Sequence, residues 1–452
     1  KPLNFHLNLA KKLNLKGKMQ ENFVNIFHKF DFERQKMAEE KQGGKIITPL
    51  GWENNSQNLK VDLTQRSNKK AELGAKRGVL SWAEFQQSDE FKAIKRQKMP
   101  NGKWQFVPNN EQLRKLVHYE EISLGEIDTS EVTDMKGLFA YIDEKKLGQK
   151  TIKDWAKDNN VKLNFKREDF SGIGSWDTSK VTTFERMFYK ADNFNEDISK
   201  WDTSKAISFK EMFYETSNFN QPLNSWNTSK VMDMSGMFGG MLGGAKNFNQ
   251  PLDSWDTSKV ANMSSMFRYA RNFNQPLNEW DTSSVTNMSR MFSFATFFNQ
   301  PLDSWDTSSV TDMSFMFSGA NNFNQPLDKW NTSSVVDMKF MFRGATFFNQ
   351  PLDSWDTSNV VDMRDMFNNA INFNQNLMAW RDKLDKVKDM SSMFSGAESL
   401  ICDFFSWWET SEVCGFKDRI KDSGVEKLRD AHKKIKDKIE KKYEQKKNLQ
   451  KC

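Results

Sequence analysis

The chain has 452 residues with 66 Lys and Arg against 60 Asp and Glu, a net charge of only +6 that does not point to a nucleic-acid binder. Mean hydropathy is low, at −0.76, yet 38 Phe, 15 Trp and 23 Met supply the apolar bulk for a core, so wholesale disorder is excluded. No run approaches the roughly 18 apolar residues of a membrane-spanning helix, and three cysteines (Cys402, Cys414, Cys452) cannot build a disulfide framework.

The charge is unevenly placed. Residues 1–110 hold 21 basic and 11 acidic side chains and residues 416–452 hold 14 and 7, which leaves 111–415 at −11. Basic ends of this kind read either as solvated helix faces or as contacts to an acidic polymer or membrane surface. Residues 1–105 form a basic, partly helical region with no repeat. Within it, the apolar spacing from Met19 to Phe30 predicts an amphipathic helix. Gly43-Gly44 and Thr48-Pro49-Leu50-Gly51 predict loops. Ser81 is placed to cap a helix carrying Trp82, Phe85, Phe91 and Ile94. Pro100-Asn101-Gly102 predicts a turn, and Asn110–Val117 reads as a helix leading into the next region.

A repeat governs residues 106–414. Tryptophans fall at 176, 201, 226, 255, 280, 305, 330, 355 and 380; seven intervals are 25 residues and one is 29, lengthened by a Gly-rich insertion over 239–244. Around each Trp the text approximates F-N-Q-P-L-[DN]-x-W-[DN]-T-S-x-V-x-[DN]-M-x-x-M-F-x-x-A, as in Phe298–Ala320. Such a unit has about eight apolar anchors, too few to offset the entropy of ordering 25 residues, so neighbours must share core and hydrogen bonds. This is the logic of a solenoid. Gln-Pro holds its segment extended, Trp-Asp-Thr-Ser makes a turn, and Val-x-Asp-Met is a second extended piece. Ser-x-Met-Phe-x-x-Ala suits a single helical turn, and Asn and Gln in register can ladder with the next coil. About 24 extra residues within 140–170 are expected to interrupt the stack between its first two copies. The last copy degrades around Trp407–Val413. Over 415–452, Leu428, Ala431, Ile435, Ile439 and Tyr443 form the stripe of a basic capping helix.

The repeat resembles that of the BspA-like leucine-rich-repeat surface proteins, in the 25-residue variety known as mycoplasma-type lipoprotein repeats. The resemblance runs over about 121–414, including a degenerate opening copy at Leu124–Met135 and the helix before it. It implies a right-handed, leucine-rich-repeat-like β-solenoid with short strands and one helical turn per coil, about ten or eleven coils stacked over about 50 Å, with helical ends. It also implies a bacterial protein, secreted or on the cell surface, that works by adhesion or protein recognition. The sequence opens on Lys1 without a lipobox cysteine, so the upstream residues are where a signal peptide or lipid anchor would be read.

The repeats are poor in chemistry. The four histidines, His6, His28, His118 and His432, all lie outside the Trp-anchored units, which removes nucleophile–base pairs and His-based metal sites from the stack. Cys402 and Cys414 read as buried thiols or one disulfide rather than a metal pair. The recurrent Asp residues read as turn-makers, and no phosphate-binding loop appears. No catalytic, cofactor-binding or metal-ligating residue is therefore expected, and the chain reads as non-enzymatic. Partner-binding candidates are sought at non-consensus positions: Arg268, Tyr269, Arg290, Phe315, Phe340, Arg343 and Arg364, with Phe294, Phe297, Lys339 and Phe347 nearby. The expected partner is a protein, on a host or other cell surface. Two rival readings place an effector or enzymatic activity in 1–105 with the solenoid as its targeting module, or make the chain a cytoplasmic scaffold.

Overall fold

The computed structural model describes residues 80–143, 150–241 and 243–400. The chain divides into two compact units, Lys1–Val79 and Leu80–Cys452, and the description below concerns the second. The helix expected over 19–30, the loops at 43–51, Cys402, Cys414, Trp407–Val413 and the capping helix of 415–452 lie outside the described residues.

The unit opens with α1 (Trp82–Gln87) and α2 (Asp89–Lys92), then the hairpin β1 (Lys95–Lys98) and β2 (Trp104–Val107), then α3 (Asn110–Leu116). Ser81 and Glu84 form a capping box at α1, as its Ser-x-x-Glu spacing allows. The single helix expected from Ser81 is instead two, because Ser88 takes an extended conformation and its side chain accepts the N–H of Phe91 to cap α2. Gly102 turns the hairpin at φ 82°. The boundary expected between 105 and 106 falls inside β2. From β2, Phe106 bridges in parallel to Ile127, and α3 covers the first repeat with Leu113, Leu116 and Val117 fully buried. Asn110 accepts the N–H groups of Thr133 and Asp134, where a preceding repeat would otherwise supply the carbonyls.

The rest is a tandem-repeat stack. Parallel bridges join Asp134 to Thr183, Ser208, Asp233, Asn262, Asn287, Asp312, Asp337, Asp362 and Asp389 in succession. Each repeat gives this ladder one bridging residue, and no longer strand forms between described repeats, because turn geometry resumes immediately on either side. The Phe-Asn-Gln-Pro-Leu segments, expected to be strand-like, bond through side chains instead: Asn274 Oδ1 accepts the N–H of Asn299, and Asn299 Oδ1 that of Asn324, each at 2.9 Å. This asparagine ladder runs from Asn195 to Asn374.

The expected helical turn is likewise absent. Met313–Ala320 forms three overlapping turns closed by Met316 N–H to Met313 O, Ser318 N–H to Phe315 O and Ala320 N–H to Phe317 O. The alternate N–H groups of Met313, Phe315, Phe317 and Gly319 donate to carbonyls of the next repeat, Asp337, Lys339, Met341 and Arg343. A helix would turn all these donors along its own axis; the overlapping turns free every second one for stacking. Left-handed residues at Phe315 (φ 59°) and Gly319 (φ 68°) make this possible.

The core follows the consensus letters. Trp305 and Trp330 stack at 6.3 Å with rings 2° from parallel, and each indole N–H donates to a leucine carbonyl of the preceding repeat, Trp305 to Leu277 at 2.9 Å. Columns of Phe292, Phe317 and Phe342 and of Phe298, Phe323 and Phe348 stack similarly. The 29-residue interval is absorbed as a bulge: Ala245 N–H still closes on Phe238 O, and Gly244 lets the bulge approach the backbone of Tyr269, 2.7 Å from where a Cβ would sit.

The extra residues within 140–170 do not interrupt the stack. Met135, Gly137, Phe139 and Tyr141 donate directly to Thr183, Glu185, Met187 and Tyr189 across them. The insertion loops out as α4 (Lys150–Asp158) and folds back onto the side of the first two repeats. Arg167, buried at its end, donates to the carbonyls of Val117, Tyr119, Ile122 and Asp169.

Candidate functional site: the variable face of the stack

The overlapping turns create one face of variable residues. In each Asp-Met-x-x-Met-Phe-x-x-Ala stretch the named residues turn inward or bridge, while the four x positions lie on the opposite face and stack on their counterparts, some exposed (Phe294, Arg343) and others buried beneath neighbouring slots (Ser289, Ser293, Ser314, Ser318). The second slot is left-handed in Arg186, Glu211, Ser265, Arg290, Phe315, Phe340, Asp365 and Ser392, with φ between 52° and 59°. The fourth is left-handed in Lys190, Glu215, Tyr269, Phe294, Asn369 and several glycines. No β-branched residue holds either slot, as the steric cost of positive φ demands.

All seven candidates lie on this face. Arg364 holds a first slot; Arg290, Phe315 and Phe340 hold second slots; Arg268 and Arg343 hold third slots; Tyr269 holds a fourth. Tyr269 stacks on Phe294 at 4.6 Å, and Phe315 on Phe340 at 4.4 Å. Guanidinium groups lie against the aromatic pairs: Arg290 is 4.5 Å from the Phe315 centroid, Arg343 5.5 Å from Phe340 and Arg268 5.4 Å from Tyr269. Phe315, Phe340 and Tyr269 are half-buried, whereas Arg343 and Phe294 are exposed. Phe297 and Phe347 are each 54% exposed and sit beyond these slots, beside the asparagine ladder.

The charges divide the face in two. At its start they pair with one another: Arg186 with Glu185 and Glu211, and Lys190 with Glu215. From Ser264 to Gly344 the slots carry Arg268, Arg290, Lys339 and Arg343 and no carboxylate. Lys339 bonds to Asp337 below it; the three arginines have no carboxylate within ion-pairing distance among the described residues. Arg364 is occupied by Asp362, whose hydrogen bond and charge raise its pKa. Beyond Phe340, burial pushes the Asp365 carboxyl above its ordinary value.

Sequence reading missed two consecutive glycines of this face. Gly319 and Gly344 hold the fourth slot in consecutive repeats. The Phe294 ring lies over Gly319, 2.6 Å from where a Cβ would be, while the space at Gly344 is open. The available signal was glycine in two adjacent repeats at a slot that is aromatic in the two before. Among the described residues no cluster of His, Cys, Asp and Glu could hold a metal ion, and no helix is long and apolar enough to cross a membrane. The recurrent Asp residues act as turn-makers: Asp306 accepts the N–H of Ser308, and bonds to Ser308 hold its carboxyl below the ordinary range.

The profile of a family described as Mycoplasma protein of unknown function, DUF285, matches residues 110–165, 159–243, 239–342 and 322–427. No curated protein matches the chain. No solved structure matches it either.

Proposed function

We propose, from the premise that the chain belongs to the DUF285 family of tandem-repeat Mycoplasma proteins, that it is a non-enzymatic binding protein of BspA-like kind. In this reading its repeats wind as a right-handed, leucine-rich-repeat-like solenoid, displayed at a cell surface or secreted, and the variable face recognises a protein partner. One observation carries the proposal: residues that build the stack repeat almost unchanged, while four of the variable positions share one face. Where those slots collect Tyr269, Phe294, Phe315 and Phe340 beside unpaired arginines, the surface has the composition of an interface centre.

Adhesion of protein-coated beads to an epithelial monolayer tests this reading. Beads carrying the full chain are expected to adhere, and beads carrying Arg290→Glu and Arg343→Glu together are expected to lose most of that adhesion. Equal adhesion by both, or none by the full chain, contradicts the proposal.

A further inference from the structure

The stack already shows what its variable face can hold. Helix α4 packs across the slots of the first two repeats, Gly137 and Ala140 in one and Glu185, Arg186 and Tyr189 in the other. Trp155 is its anchor. Its ring fills the space over Gly137, 2.7 Å from where a Cβ would stand. Its indole N–H donates to Glu185 at 3.0 Å, and the Arg186 guanidinium lies 4.4 Å from its ring. Ile152, Ala156 and the following Val161 complete an apolar contact with Ala140, Ile142 and Tyr189. A helix is about 10 Å across, so it spans two repeats at about 4.8 Å each.

We infer that the same face, over the repeats from Trp280 to Trp355, docks an acidic amphipathic helix of another protein in the manner of α4. This rests on the binding-protein reading above and names its partner class. Comparable elements occur there in another slot: Gly137 makes room for Trp155 in the second slot, whereas at Gly344, in the fourth, a Cβ would come no closer than 4.0 Å to its neighbours, and the guanidinium groups of Arg290 and Arg343 lie against the Phe315 and Phe340 rings. The charge differs in a telling way. The slots under α4 pair their own acids and bases, but those from Ser264 to Gly344 hold cations without a slot carboxylate; among the described residues Arg268, Arg290 and Arg343 have no carboxylate within ion-pairing distance, and Asp365 of the next repeat acts on Arg343 only at longer range. The ring faces are spent on one another and on Arg290. What faces outward is ring edges and guanidinium forks, both of which favour carboxylates. The occupant therefore carries one large apolar or aromatic anchor for the Gly344 recess, with Asp or Glu one turn away on either side.

A displayed library of 16-residue helix-forming peptides, panned on the full chain and counter-screened on Phe340→Ser and on Arg343→Glu, tests the inference. Ser is accommodated at the Phe340 slot in other repeats, and Arg343 is exposed, so both variants should melt near the wild-type temperature. The expected winners carry an aromatic or large aliphatic residue with acidic residues at i±3 or i±4, and the synthetic peptide of the best clone loses at least tenfold in affinity on Arg343→Glu. Winners that are basic, lack helical spacing or bind both variants as well as wild type overturn the inference. So does a dimer of the chain that Arg343→Glu dissolves, since the occupant would then be a second copy. Bead adhesion separates the two readings: adhesion lost on Arg290→Glu and Arg343→Glu with no such winners leaves the binding-protein reading standing and the helix refuted.

Discussion

Ser265 and Ser392 occupy, in their repeats, the slot that Phe315 and Phe340 fill in others, and all four have φ between 54° and 59°. The backbone therefore sets what this slot tolerates, and the side chain is free to vary within that limit. Ser265→Val is expected to leave the chain about 1–2 kcal/mol less stable than Ser265→Gly in chemical denaturation, since only the β-branched residue meets the left-handed penalty. The turns around these slots were not legible as such, because Met-x-x-Met-Phe spacing fits a helical turn and an overlapping-turn run equally well. What distinguished them was the missing Val, Ile and Thr. The inward letters were fully legible: an indole every 25 residues had to stack. At His118, burial, aided by Lys162, Arg114 and Arg167, pulls the imidazole down to about 3. A folded pKa below the unfolded value near 6.5 stabilises the neutral form, so that contribution is complete above pH 6.5 and is lost as pH falls toward 3. Between pH 6.5 and 4.5, wild type should lose stability faster than His118→Gln in urea titrations; parallel slopes would refute the assignment.

Helices at the start of the unit show how elements can be read correctly in kind and wrongly in extent. Ser81 caps α1 as its sequence indicates, but Ser88 can cap as well as continue, and it caps. The insertion was legible as an interruption of the sequence period and not as a continuous hydrogen-bond ladder beside it. Nothing local to Met135 reveals that its partner is Thr183, 48 residues on. Arg167 was invisible for the same reason: its four acceptors are carbonyls, which leave no sequence signature. Replacing it with Met removes the side-chain donor from the Val117, Ile122 and Asp169 carbonyls, while that of Tyr119 keeps the Ile122 N–H, and a loss of about 3 kcal/mol is expected from urea unfolding. A loss below about 1 kcal/mol would mean that water or relaxation satisfies them.

Across the described stack, each inner repeat both donates to its successor and shares aromatic columns with its two neighbours, so stability is distributed through interfaces rather than held in single units. Trp305→Ala removes an indole that stacks on Trp280 and Trp330 and takes from the Leu277 carbonyl one of its two donors, at an expected cost of about 3–5 kcal/mol. Protection of backbone amides should fall in the repeats on both sides of it. The period and the division between consensus and variable letters were legible from sequence, because stacking repeats the same packing problem every 25 residues. The unpaired arginines were not, since which cations find a carboxylate depends on the register between repeats. The claim that building and binding reside on separate sides of each repeat meets its most direct test in one paired experiment. Thermal unfolding and bead adhesion are measured together for Trp305→Ala and for Arg290→Glu combined with Arg343→Glu. The account predicts that the arginine pair melts near wild type while adhesion is lost, and that Trp305→Ala melts well below it. An arginine variant that melts as low as Trp305→Ala, or one that keeps its adhesion, would contradict it.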